Sequence, residues 1–185
     1  MKCPCLPAGR LSLSPAGERR RVGGMRHTNP KIVKYISETE YQMEKISKDI
    51  LKAIFDKISK EDTFSQQIGV KLMELLPGFA RATLPITDET INIYQMAHGG
   101  AIFSVADQAC EAAGNSYGEP AVALQQNIHF LSAAKSGDHL EATAKVTHRS
   151  NRIGLIEFEV KNREGLPIAI GQQVIYFRKG KVDKS

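Results

Sequence analysis

Hydrophobic residues change their period several times along this chain, and each change marks an element. Between residues 38 and 60, Tyr41, Ile46, Ile50, Ala53, Ile54 and Ile58 recur at three- to four-residue spacing among Glu and Lys, which predicts a helix. Two strand-like runs follow, about 66–76 and 79–87, joined by the turn dipeptide Pro77-Gly78. In the second run Ala80, Ala82, Leu84 and Ile86 alternate with Arg81, Thr83 and Pro85, so one face meets a core. Pro85 cannot donate to a ladder and therefore belongs at a sheet edge or a strand end.

A polar connection over residues 88–98 leads to Gly99-Gly100, which opens a helix of small residues reaching about Gly114. Ile102, Val105, Ala106, Ala109 and Ala113 fall on one stripe of it, and so much alanine predicts very close packing against a neighbour. Four more strands follow a turn at Gly118-Glu119-Pro120, over about 121–132, 138–149, 152–162 and 167–178. Turn signals at Ser136-Gly137-Asp138, Ser150-Asn151 and Glu164-Gly165 predict short hairpins, hence a meander of antiparallel neighbours. The order predicts an α+β fold: one antiparallel sheet with a long helix on its concave face and an extra helix before it. A single helix covers one face only, so the remaining apolar surface is expected to pair subunits.

Composition adds bounds. The 185 residues, 42% of them hydrophobic and 24% charged, suit one globular domain. No run approaches the roughly 18 apolar residues that cross a bilayer, so no membrane partner is expected. The net charge of +5 points at first to nucleic acid. Residues 1–24, however, hold Lys2, Arg10, Arg19, Arg20 and Arg21 against Glu18 alone, so four of those charges belong to the tail and no nucleic-acid partner is expected. Residues 1–37 are expected to form a disordered or weakly ordered basic tail, 38–63 an N-terminal helix, and 64–180 the main domain. Arginines and serines in the tail fit a mitochondrial presequence, but Pro4, Pro7 and Pro15 oppose the amphipathic helix this needs. A start at Met25 or Met43 is a further alternative, and a dispensable tail is the reading adopted. Three cysteines (Cys3, Cys5 and Cys110) without a spaced framework argue against disulfides and for a reducing compartment, with the cytoplasm expected, and the Cys3-Pro-Cys5 pair has no further ligands nearby to hold a metal.

The chemistry concentrates in Ile91-Asn92-Ile93-Tyr94-Gln95-Met96-Ala97-His98-Gly99-Gly100-Ala101 and in Asp107 beyond it. Glycines at a helix start let the backbone approach a ligand, and the first turn offers unpaired N–H groups at the positive end of the dipole. Such a terminus suits an anion, or the charge that develops on a carbonyl oxygen in acyl transfer. Ser104, Asp107, Gln108 and Glu111 lie opposite the apolar stripe, either as a solvated face or as a rigid mount for a working carboxylate.

His98-Gly99-Gly100, with Asp107 nine residues after the histidine and Asn92 six before it, resembles the acyl-CoA thioesterases of the phenylacetate-degradation (PaaI-like) type, which have the hotdog fold. Asn127-Ile-His-Phe-Leu-Ser-Ala-Ala-Lys-Ser-Gly-Asp138 resembles that family's third strand and turn. Arg149-Ser-Asn-Arg-Ile-Gly154 and Ala169-Ile-Gly-Gln-Gln-Val-Ile-Tyr176 resemble its final hairpin, so the similarity spans about residues 64–178.

The resemblance implies hydrolysis of acyl-CoA to free CoA and a carboxylic acid, with no cofactor and no metal. Asp107 would be general base or nucleophile, the Gly99 N–H would polarise the thioester carbonyl, Asn92 would hold water or substrate, and His98 would shape the loop, either bonding near the thioester or serving structure alone. It also implies a homodimer or dimer of dimers, with Asp107 of one chain facing Asn92 and Gly99 of another. Gly100, Phe103, Glu111, Leu124 and Phe130 are expected around the substrate, with Glu111 either a second carboxylate or a polar partner. Ala123 stands where some relatives carry a Ser or Thr that places the water. Arg149, Arg152 and Lys135, in turns, are candidate contacts for the CoA phosphates or simply solvated charges. Two alternatives stand beside hydrolysis: a hotdog dehydratase or hydratase, which would need a Phe-Pro-Gly loop not found here, and a non-catalytic acyl-CoA-binding regulator.

Overall fold

The structure, a computed structural model, describes residues 46–182. Helix α1 spans Lys48–Glu61 and begins where Ser47 caps it, its Oγ accepting from the amide of Ile50 at 3.3 Å. Residues 38–45 of the expected helix lie outside the described residues. Ile54 and Ile58, one turn apart, are its buried contacts with the core.

The strand expected from residue 66 begins later. Asp62 caps a second helix, α2 (Thr63–Ile68), by accepting from Ser65 at 3.1 Å, and Gly69 ends it at φ 84°. A local cap at each end therefore overrides the apolar run there. Strand β1 (Lys71–Leu76) then turns through Pro77-Gly78 into β2 (Phe79–Pro85), and Pro85 takes the strand-end position. Gly78 is required at that turn: its φ is 69°, and an added Cβ would stand 2.5 Å from the hydroxyl of Tyr117.

The long helix α3 (Gly99–Asn115) lies against the sheet formed by β1, β2, β3 (Ala121–Phe130), β4 (His139–Arg149), β5 (Ile153–Asn162) and β6 (Pro167–Phe177). Close packing is realised: Val105, Ala106, Ala109, Ala112 and Ala113 are fully buried, opposite Ala80, Ala82, Ala142 and Ile156 of the sheet core. Small side chains let the helix axis approach the sheet, and the many short contacts supply dispersion as well as apolar burial. Among the described residues no helix is long and apolar enough to cross a membrane.

The sheet is antiparallel throughout, in the order β1-β2-β4-β5-β6-β3. The expected four-strand meander is thus corrected: β3 pairs with β6, not with β4. Its link to β4 is anchored away from β3, where Ala134 is buried and its carbonyl accepts from Ala97 at 2.7 Å, so this short connection does not make a hairpin. Strand β3 consequently stands at one edge with no fully buried residue, a bulge between Ala123 and Gln125, and exposed Val122, Leu124 and Phe130.

The polar face expected for α3 also needs one correction. Gln108 is only 4% exposed, because α1 and α2 pack over this side of the helix. Ser104, Asp107 and Glu111 remain at least partly open.

Candidate active site

The approach to α3 is a loop folded on itself by Asn92. Its Oδ1 accepts from the amides of Tyr94 (2.9 Å) and Met96 (3.3 Å), while its own amide donates to the Met96 carbonyl at 2.7 Å. These bonds hold Gln95 in the left-handed region at φ 59°, a conformation unusual for a residue with a side chain. The loop then runs into His98, whose Nδ1 accepts from the Gly100 amide at 2.9 Å and caps the helix.

Gly100 is therefore engaged, whereas the Gly99 N–H has no acceptor among the described residues. The Phe130 ring closes over this point, since a Cβ on Gly99 would lie 3.3 Å from its Cζ. A free amide thus sits at the positive end of a 17-residue helix, beside an aromatic wall.

Asp107 lies eight residues on, about 12 Å along the axis at 1.5 Å per residue. Its Oδ1 accepts from Nε2 of Gln173 at 2.7 Å, and the same Nε2 donates to Oε1 of Gln126. Gln173 was not among the expected site residues. Its signal was present, however, as the one polar residue in the inward row Ala169, Gly171, Gln173, Ile175, Phe177 of β6.

Asp107 stands between two recesses. One, about 230 Å³, is lined by Cys110, Glu111, Ala123, Gln173 and Ile175. The other, about 450 Å³, lies between α3 and the α1–α2 pair, with Asp62, Phe64, Ser104, Gln108 and Glu111 in its wall. A larger hollow of about 590 Å³ opens on the outer face of the sheet among Thr143, Lys145, Glu157 and Gln172. None of the candidate residues lines that hollow, so the chemistry is assigned to the two recesses that hold Asp107.

Electrostatics single out the same pair of acids. Burial pushes the Asp107 carboxyl above the usual aspartate range, against the opposing hydrogen bond from Gln173, and the charge of Asp62 adds to the rise. Glu111 is pushed up to about 7, first by the protein mass around it and then by Asp62 and Asp107. Its side chain also reaches solvent. Burial also raises the Cys110 thiol, with the charge of Asp107 adding to it, which keeps that group protonated and unreactive.

Of the other expected residues, Ala123 lines the small recess and Phe103 is half-exposed on the outer side of α3. Leu124 projects from the bulged edge strand at 59% exposure. Arg149 is already engaged by Glu119 at 2.9 Å, with its guanidinium 4.2 Å above the Tyr117 ring and 4.4 Å from that of Phe177. Arg152 donates to the Tyr176 hydroxyl at 2.6 Å and shares a recess of about 270 Å³ with Arg178 and Lys179, two cations the sequence reading passed over. Lys135 is exposed in the turn before β4, its amide donating to Asp138.

Known proteins resemble this chain in sequence and in fold. Residues 94–169 match the family model described as the thioesterase superfamily. The chain is 35% identical over 111 residues to the acyl-coenzyme A thioesterase PaaI of Escherichia coli strain K12, covering 60% of this chain and 79% of that protein. The solved structure of the E. coli PaaI protein from the phenylacetic acid degradation operon superposes with a TM-score of 0.68 at 30% identity, covering 71% and 98% of the two chains. A Streptococcus mutans protein solved bound to acetyl CoA superposes with a TM-score of 0.58 at 27% identity, covering 61% and 90%. The sheet-wrapped helix is accordingly a hotdog fold.

Proposed function

Since the chain belongs to the thioesterase superfamily and is an enzyme of that kind, we propose that it hydrolyses acyl-CoA thioesters with Asp107 as general base. The observation that carries this reading is the setting of Asp107: a half-buried carboxylate of raised proton affinity, held on one oxygen by Gln173 and open to a recess. Its second oxygen takes a proton from water. The water oxygen bonds to the thioester carbon, the oxyanion is stabilised by the Gly99 N–H, and the carbon–sulfur bond then breaks. CoA departs as the thiolate and takes up the proton, leaving the free acid.

Asp107 and Gly99 of one chain stand about 12 Å apart along α3, too far to serve one carbonyl. The working site therefore pairs Asp107 with Gly99 and the Asn92 side-chain amide of a second copy. The bulged edge of β3 supports this pairing, because it leaves Val122, Leu124 and Phe130 exposed beside an unpaired ladder. Arg152, Arg178 and Lys179 supply the cationic recess for the CoA phosphates, in preference to the already engaged Arg149.

Release of free thiol from a panel of acyl-CoAs tests the reading, with Asp107→Asn beside the parent protein. Turnover is expected to fall by roughly two orders of magnitude or more while assembly persists, the usual scale for a lost general base. Near-normal turnover in Asp107→Asn would remove this residue from the mechanism.

A further inference from the structure

The larger recess beside Asp107 carries features that hydrolysis itself does not use. Gln108 lines it, is 96% removed from solvent, and has an Oε1 with no hydrogen-bond donor among the described residues. A buried amide oxygen left unpaired is costly, so turning the Gln108 amide to meet a donor in the recess recovers a missing bond. Around it stand the carboxyl groups of Asp62, Asp107 and Glu111. Among the described residues the one basic group in the lining is Lys57, whose Nζ lies 3.2 Å from Glu61. Apolar contact comes from Ile58 and from Phe64, which is 59% exposed.

An unpaired acceptor among carboxylates, with the lysine of the lining engaged, is complementary to a donor of positive charge and hostile to a second anion. Asp107 opens on this recess and on the smaller one, so a thioester carbonyl set beside Asp107 can send its tail toward Gln108. Resting on the hydrolase reading above, we infer that the recess between α1–α2 and α3 seats the acyl end of the substrate and sorts it by charge. An acyl tail bearing an amine is taken ahead of its neutral isostere, and a tail bearing a carboxylate is rejected. Gln108 and Glu111 are the residues that determine this specificity. Burial first, and after it the charges of Asp62 and Asp107, raise Glu111, so acids already repel one another in this space.

The test compares kcat/KM of the full chain for β-alanyl-CoA, butanoyl-CoA and succinyl-CoA by thiol release, with uncatalysed rates subtracted. The expected order is β-alanyl, then butanoyl, then succinyl, in steps of roughly tenfold, the scale at which one unpaired or like-charged contact discriminates. Glu111→Gln should narrow the gap between butanoyl and succinyl, and Gln108→Met should narrow the gap between β-alanyl and butanoyl. Succinyl-CoA turned over as fast as butanoyl-CoA, or ratios untouched by both substitutions, would overturn the charge sorting and leave hydrolysis standing. The parent protein alone decides the order, so a variant that fails to fold does not block the test. No thiol from any of the three, or from a wider panel, would strike down the hydrolase reading and this inference together.

Discussion

Nε2 of Gln173 lies 2.7 Å from Oδ1 of Asp107, tying the inward face of β6 to the middle of α3 across 66 positions of sequence. A neutral donor in this place orients the carboxylate without discharging it. A lysine or arginine there would hold the acid more tightly but would depress its proton affinity, the property a base requires.

Replacing Gln173 with Leu should therefore raise the proton affinity of Asp107 further, because a bond favouring the charged form is lost. The acid limb of the kcat/KM profile should move to higher pH, and the plateau should fall roughly 10- to 100-fold, the worth of one hydrogen bond to a charged group. An unmoved acid limb would show that the bond does not tune Asp107.

Gly99→Pro isolates one hydrogen atom. Proline is tolerated at the first position of a helix, and His98, at ψ 136°, already has the extended backbone that precedes proline. The N–H is removed, and the exposed Phe130 ring has to give way by only a few tenths of an ångström to admit the added Cβ. Turnover should drop by about 10²–10³, as for loss of an oxyanion donor, with little change in melting temperature. Mixing this variant with Asp107→Asn under exchange of subunits should restore roughly a quarter of parental activity if each site draws on two chains. No recovery in a mixture shown to contain hetero-oligomers would place both residues in the same protomer's site.

Glu111 sets a pH dependence of stability with the opposite sign to the usual carboxylate. Its folded-state affinity for the proton is raised, to about 7 from 4.5, so the native state holds the proton more tightly than the unfolded chain. Its favourable contribution is complete below pH 4.5 and is lost as pH rises through about 7. Glu111→Gln should accordingly raise the melting temperature at pH 8 relative to the parent, with the difference shrinking toward pH 4.5. Equal gains at both pH values would mean that charge is not the cause.

His98 acts on the fold as a helix cap through its Nδ1. His98→Ala should cost about 0.5–2 kcal/mol in denaturant unfolding, the range for a lost N-cap, and His98→Asn should recover most of it. A His98→Ala protein as stable as the parent would show that the cap is not stabilising here.

The alternation in β2, β4 and β5 and the alanine stripe of α3 were legible from the chain, because burial on one face imposes a period that does not depend on which element lies opposite. Asp107 and the glycine pair stood out for a similar reason: helix start signals and residue chemistry are local. Caps at Asp62 and Gly69 were equally local, yet the apolar run around Ile68 masked them.

Only the tertiary structure decided that β3 pairs with β6, that Gln108 is buried under α1 and α2, that Arg149 is engaged by Glu119 and two rings, and that Gln173 reaches Asp107. Each of these joins segments far apart in sequence or depends on which of several similar surfaces an element covers. Hydrophobic period says that a face is hidden but not by what. Pairing partners, buried polar contacts and the recess beside the acid arise from three-dimensional placement, where the free energy of many distant contacts is settled together.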